Sequence, residues 1–334
     1  MPRFRLYLSL LDVTCKYSPA VKSEAHPNLK LPRKFRCLAP TGDWCGEAPV
    51  WNEAQQALYW TDINRCLIHS FRLKDGSVRT WFLPEPVTAL ALTAADDILA
   101  VALASRVVLW NSASGSLLET LFQLEGWPKV RLNDGRADPR GSLWVGTMWN
   151  NVRADGTEDE VGGRDGVLYR IDPDNHVSVW ERGIGIANTV AWSPDGRRFY
   201  FADSLANAID VYDYDFATGS IANRKPFLHG FARGVPDGSA VDSEGYLWNC
   251  RHGGGCIVRV APNGTIDEVI EFPTPRPTSC TFGGENLETL YVTSSALGTT
   301  GDRLAGGLFA MEPGVRGQPE NRFAGLDASA IFRH

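Results

Sequence analysis

The sequence has no excess of positive charge: 33 Lys and Arg stand against 39 Asp and Glu over 334 residues, a formal net charge of -6. Nucleic acid and an anionic membrane surface both need a basic face, so neither is expected as the main partner. No stretch approaches the roughly 20 consecutive apolar residues a spanning helix requires, which excludes a helical membrane protein. There is no CxxC pair and no Cys/His cluster of zinc-finger type; the seven cysteines (15, 37, 45, 66, 250, 256 and 280) are an odd set, expected to be buried free thiols in a reducing compartment. GxSxG, HExxH and Walker-type loops are missing too, so serine nucleophiles and nucleotide binding lack support. Sustained 3.6-residue periodicity bounded by caps is also absent, and with it any case for a helical fold.

What the chain does have is Gly (33), Pro (20), Trp (11) and short β-branched or aromatic runs. A phrase recurs: a small or apolar pair, a turn, then a hydrophobic strand. Its copies are VWNEAQQALYWTD (50–62), ALTAADDILAVA (91–102), ADPRGSLWVGT (137–147), AWSPDGRRFYFAD (191–203), VDSEGYLWNCR (241–251) and FGGENLETLYVTS (282–294). The markers Tyr59, Leu99, Trp144, Tyr200, Trp248 and Tyr291 are 40, 45, 56, 48 and 43 residues apart, room for about four short strands per unit. That period predicts an all-β, six-bladed β-propeller with four-stranded antiparallel blades around a central channel. The ring is expected to close by pairing KFRCLA (34–39) with strands near GGLFAME (306–312). Residues 34–334 then form one propeller domain and 1–33 a poorly ordered extension. In that extension the apolar run LYLSLL ends at Asp12, so cytoplasmic residence is expected, with export as the alternative. The 56-residue spacing marks an insertion at 149–165, either a functional lid or a mobile decoration.

Counting back 11 or 12 residues from each marker reaches Glu47, Val87 or Thr88, Asn133, Asn188, Asp237, and Ser279 or its neighbours. Equivalent positions of a radial repeat lie at one height around the axis, so four polar side chains are expected to face one another at one mouth. Two carboxylates and two amides in a channel call for a balancing charge, and a divalent cation with hard oxygen ligands supplies it. Taken singly, each residue could instead cap its own turn. Arg131 lies two residues before Asn133, on the same side of an extended chain. A cation is a poor metal neighbour but suits substrate oxygens; the alternative is an ion pair with Asp134 or Asp138. His252 ends an inner strand and is a possible channel residue, against a plain structural role.

GEAPVW, RLNDGRADPRGSLWVGTM, IANTVAWSPDG, YFADS and PDGSAVDSEGYLW together resemble the gluconolactonase, senescence marker protein (regucalcin) and luciferin-regenerating enzyme family, from about residue 44 to 300. The resemblance implies a six-bladed propeller with one divalent metal in its channel, held by Glu47, Asn188 and Asp237, while Arg131 and Asn133 hold substrate. It implies hydrolysis of a sugar lactone such as gluconolactone, xylonolactone or arabinonolactone, with Asp237 accepting a proton from water and Asn150 or Asn151 closing over the sugar. Some relatives place an acidic residue just after the GTM strand, where this chain has Trp149, Asn150 and Asn151. Calcium is the first candidate metal; magnesium and manganese suit the same oxygens, and relatives accept zinc or iron(II). A non-catalytic calcium-binding regulatory protein and an esterase or phosphotriesterase on the same site are the competing readings. A monomer or weak homo-oligomer is expected.

Overall fold

Strands that alternate with Gly- and Asp-rich turns build six small antiparallel sheets, and the computed structural model, which describes residues 34–325, arranges them as a six-bladed β-propeller. Blade 1 comprises Gly46–Asn52, Ala57–Asp62, Leu67–Arg72 and Val78–Phe82. Blades 2 to 5 follow the same pattern and begin with Val87–Thr93, Val130–Ala137, Ala187–Trp192 and Val235–Val241. Blade 6 starts at Pro277–Gly283 and takes its outermost strand, Arg36–Ala39, from the other end of the chain, pairing Cys37 with Phe309. The ring therefore closes as the sequence predicts. The extension at 1–33 lies outside the described residues.

Burial explains which strand goes where. The first two strands of blade 1 are buried throughout, whereas Val78–Phe82 at the rim is mostly exposed. The first strands of successive blades pack against one another in an unbroken cycle around the axis. Between blades lie aromatic contacts such as Trp51 on Tyr291, with ring centroids 5.6 Å apart.

The recurring turn has a mechanism. In ADPRGSLW, Asp138 Oδ1 accepts the Arg140 and Ser142 N–H groups while Oδ2 accepts Trp144 Nε1 at 2.9 Å. In VDSEGYLW, Asp242 does the same for Glu244, Tyr246 and Trp248. One carboxylate thus closes the turn and anchors the core tryptophan of the next strand, an arrangement that spacing alone encodes. Asp138 serves this turn and Tyr214, not Arg131.

The C-terminal segment crosses the mouth of the channel at the far end from the start of the first strands. Gln318 donates to Trp192 O and Val241 O, Asn321 to Ala137 O, and Arg322–Phe323 adds a short parallel strand to blade 2. The six described cysteines are unpaired. Among the described residues no helix is long and apolar enough to cross a membrane.

Candidate active site at the channel mouth

Every first strand carries a register shift near its start: after Glu47, Val87, Leu132, Asn188, Pro236 and Pro277. A bulge leaves residues unpaired and re-aims their side chains. Glu47 and Asn188 are the last paired residues before it, and Asn133 and Asp237 lie within it. The four are thus one residue out of step, as the counts of 11 and 12 indicate. On a regular strand that offset sends side chains to opposite faces; here the bulge lets both kinds point to the mouth. The residues after Glu47 and Asn188 take left-handed backbone, Ala48 at φ 48° and Thr189 at φ 54°, a rare and costly conformation for a β-branched residue.

Two pairs result. The Glu47 and Asp237 side chains share a hydrogen bond, and both carboxyls are held above the ordinary range. For Glu47 the main cause is burial, followed by the charges of Asp237 and Asp134. Asp237 is pushed up to about 8 by burial and then by Asp134, against the Glu47 hydrogen bond, the Gly238 N–H and Arg251. On the other side, Asn133 Nδ2 donates to Ala187 O at 2.8 Å and to Asn188 Oδ1 at 3.2 Å. Asn188 Nδ2 donates to Ser204 Oγ at 2.8 Å, whose hydroxyl reaches Pro236 O at 2.5 Å, next to Asp237.

Arg131 is buried and organises this wall. It donates from Nη1 to Leu132 O and to Asn133 Oδ1 at 2.6 Å, and from Nε and Nη2 to Asn151 Oδ1 at 3.2 and 2.9 Å. Four of the five guanidinium N–H groups are thereby used among the described residues. Among the described residues no carboxylate forms an ion pair with it, so the alternative partners Asp134 and Asp138 are not used.

Asn151 reaches the site; Asn150 does not. The side chain of Asn150 donates to Pro128 O and accepts from Val152 N, which ties it to the base of its own loop. His252 ends its strand half-buried, with its ring pKa lowered to about 4 by burial and Arg276, and bonds to none of the residues above. Sequence reasoning missed Ser204, Cys45 and Glu158, and took Asp134 only as a possible ion-pair partner of Arg131. Ser204 stands in the YFADS phrase, but only as a strand end. Cys45 lies two residues before Glu47, its thiol raised by burial and by Glu47, Glu158, Asp237 and Asp62.

Residues 45–296 match the family model described as the SMP-30/gluconolactonase/LRE-like region. The chain belongs to that family. It is 36% identical over 300 residues to the 6-deoxy-6-sulfogluconolactonase of Pseudomonas putida, covering 87% of this chain and 99% of that one. The L-arabinolactonase of Azospirillum brasilense is 35% identical over 300 residues, with coverages of 86% and 95%. The solved structure of a calcium-binding protein, regucalcin, from Agrobacterium tumefaciens superposes with a TM-score of 0.79 at 29% identity, covering 87% of this chain and 98% of that chain. The family's extent explains why the propeller was readable from the motifs.

The donor set suits a hard divalent cation. Two buried carboxyls face each other, both raised above their ordinary range, with an amide oxygen nearby and, among the described residues, no Lys or Arg ion-paired to them. Among the described residues no three His, Cys, Asp or Glu side chains group as a metal site, so Asn188 would have to complete the set.

Proposed function

We propose that this protein is a cytoplasmic, metal-dependent lactonase that hydrolyses an aldonolactone such as gluconolactone, xylonolactone or arabinonolactone to the aldonic acid. The observation that supports it is the Glu47–Asp237 carboxyl pair at the mouth, beside the Arg131–Asn133–Asn188 wall. Two relatives are named for lactones of this class, a sulfogluconolactonase and an arabinolactonase.

Glu47, Asn188 and Asp237 would hold the cation, calcium in the first instance, and when bound it supplies Lewis acidity at the ring carbonyl oxygen. With the cation bound, the deprotonated Asp237 carboxylate would take a proton from the water that adds to the carbonyl carbon. The ring C–O bond then breaks, and the proton passes to the departing ring oxygen, so that water is consumed and a hydroxy acid released. Asn133 and Ser204 fix the orientation of the Asn188 amide. Arg131 keeps Asn133 and Asn151 in place and presents its remaining N–H to a sugar oxygen.

The test is lactone hydrolysis after chelation and add-back of calcium, zinc, manganese or magnesium, with Asp237→Ala in parallel. Activity lost on chelation, restored by a metal, and reduced roughly 10²- to 10⁴-fold in Asp237→Ala is expected. Undiminished activity in chelated Asp237→Ala protein would reject the mechanism. The regucalcin likeness favours a second reading, a calcium-binding protein without turnover; it predicts metal binding by calorimetry with lactone hydrolysis at the background rate.

A further inference from the structure

The insertion at 149–165 folds back as a roof. Asn151 accepts the Asp159 N–H, Val152 and Glu158 form an antiparallel bridge, and Arg153 and Gly156 close the turn between them. Its tip rests on blade 1: Asn64 Nδ2 donates to Gly156 O at 2.9 Å. Gly156 has φ +83°, and a Cβ there would lie 2.7 Å from Asn64 O and 2.9 Å from the Trp44 ring, so only glycine fits this seat. Its far end is tied to blades 3 and 4, where Arg164 donates to Gly183 O of blade 3 and to Asp203 of blade 4, and Lys129 pairs with Asp165 at 2.9 Å. Asn64 lies at the same end of blade 1 as Glu47, so the span from blade 3 to blade 1 passes over the mouth that holds the carboxyl pair.

The carboxylate of Glu158 sits in this roof. Its Oε1 accepts from Asn151 Nδ2 at 3.3 Å, and Asn151 is the residue that Arg131 grips. Its Oε2 makes no hydrogen bond among the described residues, and the residue is exposed. Burial lowers the Arg131 pKa, and the negative charge of Glu158 is among the influences that oppose this.

The geometry points to Glu158 as a specificity-determining residue: held over the mouth by a roof anchored on blades 1, 3 and 4, its free oxygen accepts a hydroxyl of the sugar and repels an anionic substituent. This rests on the lactonase reading. A lactone whose ring carbonyl lies at the Glu47–Asp237 pair extends its hydroxyl-bearing tail toward the roof. A hydrogen bond to a carboxylate is among the stronger ones, and a sulfonate in the same place meets like charge.

The experiment compares gluconolactone with its C6-sulfonated analogue for the metal-loaded wild type, Glu158→Gln and Gly156→Ala. Glu158→Gln is expected to raise KM for gluconolactone about tenfold with kcat nearly unchanged, as loss of one charged hydrogen bond implies. It is also expected to raise the ratio of sulfonated to neutral kcat/KM at least several-fold. Gly156→Ala, which unseats the tip without altering charge, should raise KM for both lactones and leave that ratio unmoved. An active wild type whose selectivity ratio does not change in Glu158→Gln overturns the assignment alone. A wild type without turnover of any lactone overturns the lactonase reading and the assignment with it.

Discussion

Thr189 of blade 4 donates its hydroxyl to the backbone carbonyl of Asp237 in blade 5 at 2.5 Å. Thr189 stands in left-handed backbone at φ 54°, and its hydroxyl also meets Ser239 Oγ at 2.9 Å. Asn249 Nδ2 completes the set by donating to Asp237 O and Ser239 Oγ. A strained residue in one blade thus positions the candidate proton acceptor of the next. Thr189→Val keeps the shape and removes the hydroxyl, leaving Asp237 O to Asn249. Urea unfolding should show a loss of about 1–3 kcal/mol, the cost of a missing buried partner, and kcat should fall while KM changes little.

Ser204 offers a cleaner separation of metal binding from stability. It holds the Asn188 amide from behind and bonds onward to Pro236 O. Removing a residue that orients a ligand commonly weakens metal affinity roughly 10- to 100-fold. Ser204→Ala is therefore expected to weaken calcium binding by that factor in a titration calorimeter, with thermal stability of the metal-free protein changed far less. Unaltered affinity would show that Asn188 is not a ligand.

The raised carboxyls give the metal-free protein a definite pH dependence. Glu47 and Asp237 have folded pKa values above their unfolded ones, so the native state binds more protons between about pH 4, the ordinary carboxyl value, and the folded value near 8 for Asp237. Their favourable contribution is complete below the unfolded pKa and is lost as pH rises through the folded one, at about 1.4 kcal/mol per pH unit for each such group. Melting in chelator should fall in temperature from pH 5 to pH 8, and Asp237→Asn should flatten the slope. Saturating cation should reverse the trend, because it binds the deprotonated pair.

Phe323 tests the C-terminal crossing. It is fully buried against blade 2 and pairs with Thr93, while Glu320 beside it accepts from Thr281 at 2.5 Å in blade 6. Phe323→Ala should cost about 3–5 kcal/mol in chemical denaturation. Since the segment lies at the end of the channel away from Glu47, KM for a lactone below the melting transition should stay close to wild type.

Individual residues show where sequence reasoning stops. Asp138 and Trp144, six positions apart, meet because a local turn brings them together, and that spacing is visible in the text of the chain. Asn150 and Asn151 are neighbours of identical type, and nothing local distinguishes the one tied to Pro128 from the one held by Arg131. Glu158 has no periodicity to mark it, since it reaches the mouth through a turn seated on Asn64, 92 residues earlier in the chain as measured to Gly156.

The amino-acid order alone determined the six repeats, the closure of the ring by both chain ends, and the four positions from which polar groups enter the channel, because each depends on strand length, turn chemistry and burial within one blade. The fold alone decided that Glu47 meets Asp237 and Asn133 meets Asn188, that Arg131 turns most of its donors to the protein, and that Glu158 comes to the mouth. Those outcomes depend on how bulges in separate blades aim side chains at a common axis, and that aim exists only once the ring has closed.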